Sequence, residues 1–80
     1  MVPTLTYYCD GEGRHLVCLP YSVENLHIMA EDLNIKRGWF HNKPNRWHYD
    51  IPKSRIEEMK TKCNVVTGKQ ILSIIKEGKI

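Results

Sequence analysis

Three short runs of this chain read as β-strands, two of them by alternating apolar and polar residues with a period of two, and each ends at a turn signal. Thr4–Tyr8 leads toward Asp10-Gly11-Glu12-Gly13, Arg14–Leu19 stops at Pro20, and Arg46–Ile51 stops at Pro52. The first two predict a hairpin about the glycine turn. Helical signatures fill much of the remainder. Ser22 is a good N-cap, Glu24 suits the positive end of a helix dipole, and Val23, Leu26, Ala30 and Leu33 recur with helical spacing. A helix over 22–34 follows, with Asn34 able to take the left-handed conformation at its end. Ser54-x-x-Glu57 and Thr67-x-x-Gln70 both have capping-box form, which predicts helices over 54–62 and 68–77, the latter stopped by Gly78. The stretch 36–45 reads as a loop holding one helical turn around Trp39-Phe40, and Val65-Val66 as a brief buried strand.

These elements add up to an α+β fold: a small mixed sheet of three to four short strands, with two to three helices covering one face. At 80 residues the chain is expected to be a single compact domain over 1–80. A domain of this size buries only about 60–65% of the surface its unfolded chain exposes, leaving little room for a deep, enclosed site. Any ligand is expected at a surface or a subunit seam, which favours a homo-oligomer that completes the pocket.

The formal net charge of +3 hides a dipolar sequence. Residues 1–35 hold one basic and five acidic side chains, whereas 36–80 hold eleven basic and four acidic. The densest part is 36–55. It carries Lys36, Arg37, Lys43, Arg46, Lys53 and Arg55 against Asp50 alone, together with Trp39, Phe40, Trp47 and Tyr49. Cations attract phosphates and aromatic faces stack on planar rings, so this mixture suits an anionic, nucleotide-like ligand. Against that stands the plainer possibility that the rings are core and the lysines solvated surface.

Several chemistries are excluded or disfavoured. No glycine-rich phosphate loop and no G-x-S-x-G elbow is present. Structural zinc requires ligand pairs at short spacing, but eight residues separate Cys9 from Cys18 and six separate His41 from His48, so no metal or other cofactor is expected. Cys9, Cys18 and Cys63 read as reduced, buried thiols. No run of 18 apolar residues and no signal-peptide pattern occurs, which predicts a cytoplasmic protein with no membrane partner. Single-stranded nucleic acid is a weaker partner class, since it needs only cations and stacking rings, while duplex-reading motifs are missing. Asp10, His27, His48 and Asp50 could build an acid–base or metal site, although each histidine could equally be a structural one bonded to a carbonyl or carboxylate.

Tyr8-Cys9-Asp10, Leu26-His27-x-Met29-Ala30, Trp39-Phe40 and His48-Tyr49-Asp50-Ile51, in that order, resemble a small domain family of bacteria and phages catalogued as domain of unknown function number 4031. The resemblance spans about residues 7–75 and implies a fold and a motif set rather than a reaction; some members are joined to phosphohydrolase domains. Members usually carry a histidine where this chain has Val17, and His15 stands two places away. The stretch from His41 to Trp47 is also longer and more basic than the family pattern.

The expected function is non-enzymatic binding that sequesters an anionic nucleotide-like molecule, as a phage protein would soak up a host immune signal such as a cyclic nucleotide or an ADP-ribose derivative. Arg37, Arg46 and Lys43 would meet phosphates, Trp39, Trp47 or Tyr49 would stack on the base, and His48 and Asp50 would fix orientation. Asp10, Arg14, His27 and Phe40 complete the candidate set. The alternatives are a metal- or His/Asp-dependent phosphohydrolase and a protein-interaction inhibitor of a host factor.

Overall fold

The two N-terminal runs do pair. In the computed structural model, which describes residues 4–11 and 14–80, strand β1 (Thr6–Asp10) lies antiparallel to β2 (His15–Leu19), with Tyr7 opposite Cys18 and Cys9 opposite Leu16. Of the expected turn between them, Glu12 and Gly13 lie outside the described residues. Beyond β2 come β4 (His48–Asp50) and β3 (Phe40–His41), both antiparallel to their neighbours. On the opposite edge β5 (Asn64–Val66) runs parallel to β1, so the strand order is β3-β4-β2-β1-β5.

The fold is the expected mixed α+β arrangement, but the sheet has five strands rather than three to four. The additional strand is β3. It follows a single 3-10 turn at Arg37–Trp39, and two paired residues are too few to show any periodicity in sequence. Nor is the strand at 64–66 a buried one, because Val65 is 49% exposed at the sheet edge.

Three helices, α1 (Val23–Asp32), α2 (Ile56–Lys62) and α3 (Gly68–Glu77), complete the structure. Their caps follow the sequence in two cases of three. The Ser22 hydroxyl accepts the Asn25 N–H, and Thr67 and Gln70 form a reciprocal capping box, with Gly78 in the left-handed region (φ 69°) at the exit of α3. Asn34, just past α1, is also left-handed, at φ 57°. The box expected at Ser54 does not form, because Lys53–Arg55 is a 3-10 turn and α2 starts at Ile56 with no side-chain cap. Tertiary contacts take its place. The Arg55 guanidinium forks onto Glu58 and also donates to the carbonyls of Leu33 and Asn34, tying the start of α2 to the end of α1.

Strand parity then decides which helix covers which residues. Tyr7, Cys9, Leu16, Cys18, Tyr49 and Phe40 share one face through their register pairs. That face takes α1, since Tyr7 Oη donates to Asp32 and His27 meets Tyr49, and α2 sits beside α1. Asp10, His15, Val17, His48 and Asp50 face the other way, toward α3. The helices therefore cover both faces of the sheet, not one. The physical sign of this lies in β2, where the consecutive residues Leu16, Val17 and Cys18 are all fully buried, as in a strand covered on both sides. Leu26, Met29 and Met59 are fully buried against the first face, each contributing about 1.5–3 kcal/mol by leaving water.

Candidate functional site

Register brings four titratable side chains onto the α3 face of the sheet. His15 of β2 pairs with Asp50 of β4, His48 lies two residues from Asp50 on the same side, and His41 of β3 pairs with His48. Asp10, at the end of β1, is the fifth. It is only 5% exposed, and its carboxylate accepts both the His15 Nδ1–H (2.7 Å) and the Arg14 backbone N–H (3.0 Å). Burial by itself would raise its pKa, but the His15 ring and the Arg14 amide outweigh burial and hold the carboxyl below its ordinary value.

His48 is fixed differently. Its Nδ1 lies 2.7 Å from the Arg46 carbonyl oxygen, and since a carbonyl only accepts, Nδ1 carries the proton. The other ring nitrogen, Nε2, faces Asp50 Oδ1 at 3.3 Å. His41 stacks on the His48 ring with centroids 4.8 Å apart and directs its own Nε2 at the second Asp50 oxygen from 3.7 Å. His15 meets the edge of the His48 ring at 5.2 Å. One ligand atom from each of His15, His48 and Asp50 falls within 4.8 Å of the others, the only such trio of potential metal-binding groups among the described residues.

Above these groups opens a cleft of about 510 Å³. Its far wall is α3, which supplies Ile71, Leu72 and Ile75, and two cations, Arg46 and Lys76, border it. Asn45, in the left-handed conformation at φ 67°, turns the chain so that Arg46 and His48 reach the cleft.

The sequence candidates divide among several places. Asp10, Arg46 and His48 line the cleft, and Asp50 adjoins it. Arg14 contributes main-chain groups, its N–H to Asp10 and its carbonyl to Ile51. His27, Phe40, Tyr49 and Arg37 gather on the opposite face. There His27 Nδ1 lies 2.6 Å from Tyr49 Oη, Phe40 packs 4.7 Å from the His27 ring, and the Arg37 charge opposes the burial that raises the Tyr49 pKa. Burial, reinforced by the Arg37 charge, lowers the pKa of His27. Trp39 borders a separate shallow hollow with Lys36, Pro52 and Arg55. Trp47 rests against the core, its Nε1–H donated to Asn42, and Lys43 is exposed in the loop. The indoles and guanidinium groups of 36–55 thus do not share one concavity, because a strand, a 3-10 turn and a loop direct them differently.

The cleft also uses residues outside the sequence candidates, namely His15 and the α3 side chains, and His41, likewise outside them, stacks on His48 beside it. The available signal was spacing: His15 is two residues from Val17 and therefore points to the same side of β2.

Residues 11–77 match the protein family described as Protein of unknown function (DUF4031). The chain belongs to this family. The matched stretch takes in His15, His41, His48, Asp50 and all of α3, with Asp10 one residue before it. No curated protein and no solved structure matches the chain. Within the matched stretch, His15 presents its imidazole on the sheet face that Val17 also faces.

Proposed function

We propose that this protein binds an anionic, nucleotide-like small molecule in the cleft between α3 and the polar face of the sheet, holding it rather than transforming it. The observation that carries the reading is the cleft itself. Its volume of about 510 Å³ is in the range of small-molecule sites, and it sets two cations, Arg46 and Lys76, beside an apolar wall of Ile71, Leu72 and Ile75. Phosphate would meet the cations, and the base would lie against the α3 side chains rather than on tryptophan. Sequestration of a signalling nucleotide is the role such a binder would serve. Leu72, 49% exposed on the cleft wall, is the residue a second copy of the chain would cover while completing the pocket. Size-exclusion chromatography with bound ligand tests that part; a liganded monomer contradicts it.

One observation favours a second reading, a His/Asp-dependent phosphohydrolase. The pairing of His15 with the buried Asp10 carboxylate is the arrangement that orients an imidazole for proton transfer. A single experiment separates the two. The protein is incubated with a panel of cyclic dinucleotides and cyclic ADP-ribose isomers, then denatured, and the small molecules are recovered. Intact recovery from a depleted solution supports sequestration, converted product supports the hydrolase, and no depletion rejects both.

A further inference from the structure

We infer that His15, His48 and Asp50 form a binding site for a divalent transition-metal ion of the zinc type, placed to receive the ligand's anionic group. The proposal deepens the cleft reading above and rests on it for the identity of the group received, but not for the metal site itself.

The hydrogen bonds of the two rings decide which nitrogens are free. The His48 Nδ1–H is committed to the Arg46 carbonyl and the His15 Nδ1–H to the Asp10 carboxylate, so each neutral ring offers Nε2 as a lone pair. Backbone carbonyls and carboxylates at the distal nitrogen are the partners that fix tautomer and orientation in metal-binding histidines. With Nδ1 so occupied, a neutral His48 ring presents its Nε2 lone pair to Asp50 Oδ1 across 3.3 Å, two acceptors face to face. Either a proton on Nε2 or a metal ion between them satisfies both. A proton on Nε2 would serve that pair alone, but it gives no reason for a third donor, His15, set by a buried carboxylate within the same 4.8 Å cluster. A metal ion uses all three.

Two imidazole nitrogens and one carboxylate oxygen suit zinc and its neighbours rather than magnesium or calcium, which favour all-oxygen sets. Three protein ligands leave a coordination position open, as in sites where a metal meets water or substrate. Here that position would look into the cleft bordered by Arg46 and Lys76.

The test titrates EDTA-dialysed protein with zinc chloride alone by calorimetry, with cobalt(II) absorption as the coordination readout. The expected result is one ion per chain. His15→Asn and Asp50→Asn should weaken binding at least tenfold, and Asp10→Asn roughly 10–100-fold by releasing the His15 ring. His27→Gln, on the other face, should leave binding unchanged. Should a cleft variant fail to fold, the wild-type protein answers by imidazole ¹⁵N shifts: zinc should move Nε2 of His15 and His48 and leave His27 in place. Absence of stoichiometric binding, equal binding by the folded cleft variants, or zinc-induced shifts at His27 instead would overturn the site. Because no organic ligand is present, failure here leaves nucleotide uptake standing, and failure of uptake leaves the metal site standing.

Discussion

The two faces of the sheet hold the same residue types to different effect. On the α1 face, His27 is bonded to Tyr49, packed on Phe40 and has its pKa lowered by burial and by Arg37, while Tyr49 itself is 1% exposed. On the α3 face, His41 and His48 face one carboxylate, Asp50, His15 joins the same cluster, and His15 and His48 open onto a cleft with cations. The first is a half-buried polar contact at the margin of the core. The second leaves donor atoms facing solvent and one another. A histidine's chemistry in this chain is therefore set by strand parity, with residues 48 and 49 adjacent in sequence but on opposite sides of the sheet.

If the α1 face is structural, its removal should cost stability and little else. Tyr49→Ala is expected to lower unfolding free energy by about 3–5 kcal/mol, as for other buried aromatic truncations, measured by urea denaturation. His48→Ala, on the α3 face, should stay within about 1 kcal/mol of wild type in the same assay. Comparable losses from the two would erase the contrast. The next effect is on ligand uptake. Arg46→Ala should weaken binding of whichever nucleotide is recovered by roughly 1–3 kcal/mol, whereas Trp39→Ala and Arg37→Ala should leave it unchanged. Loss of binding in the latter pair would move the site to the other hollow or the other face.

A smaller effect separates the faces again. His27→Ala removes the hydrogen-bond partner of the Tyr49 hydroxyl and should cost about 1–2 kcal/mol, with no change in ligand uptake. The smallest is the pH dependence. His27 has a lowered folded pKa, so its contribution is present above its ordinary value of 6.5 and is lost as pH falls from there through the folded pKa. Asp10, also lowered, contributes above its ordinary 3.8 and loses that contribution at more acidic pH. His27→Gln should remove the first step in a stability–pH profile and keep the second.

Local structure was legible in this sequence where it is locally encoded. The Ser22 cap, the Thr67–Gln70 box, the Gly78 exit and the hairpin all follow from residues a few positions apart. What failed to show was long-range. Arg55 makes its bonds to Leu33 and Asn34 more than 20 positions away, and those bonds displace the local box at Ser54. The aromatic and basic stretch 36–55 looked like one surface because it is contiguous, yet Phe40 and Tyr49 turn into the core while Arg46 and His48 turn toward α3. His48 and Asp50 were readable as neighbours on one strand face. His15 reached them only through the β2–β4 register, and the α3 wall only through a helix packed on the side of the sheet away from α1.

The most direct test of the cleft as the working surface is a chemical-shift map of the isotopically labelled protein titrated with ADP-ribose. Perturbed amides and imidazoles are expected to cluster at Asn45, Arg46, His48, His15 and the α3 residues from Gly68 to Lys76. Shifts centred instead on His27 and Tyr49, or on Trp39 and Arg55, would contradict it.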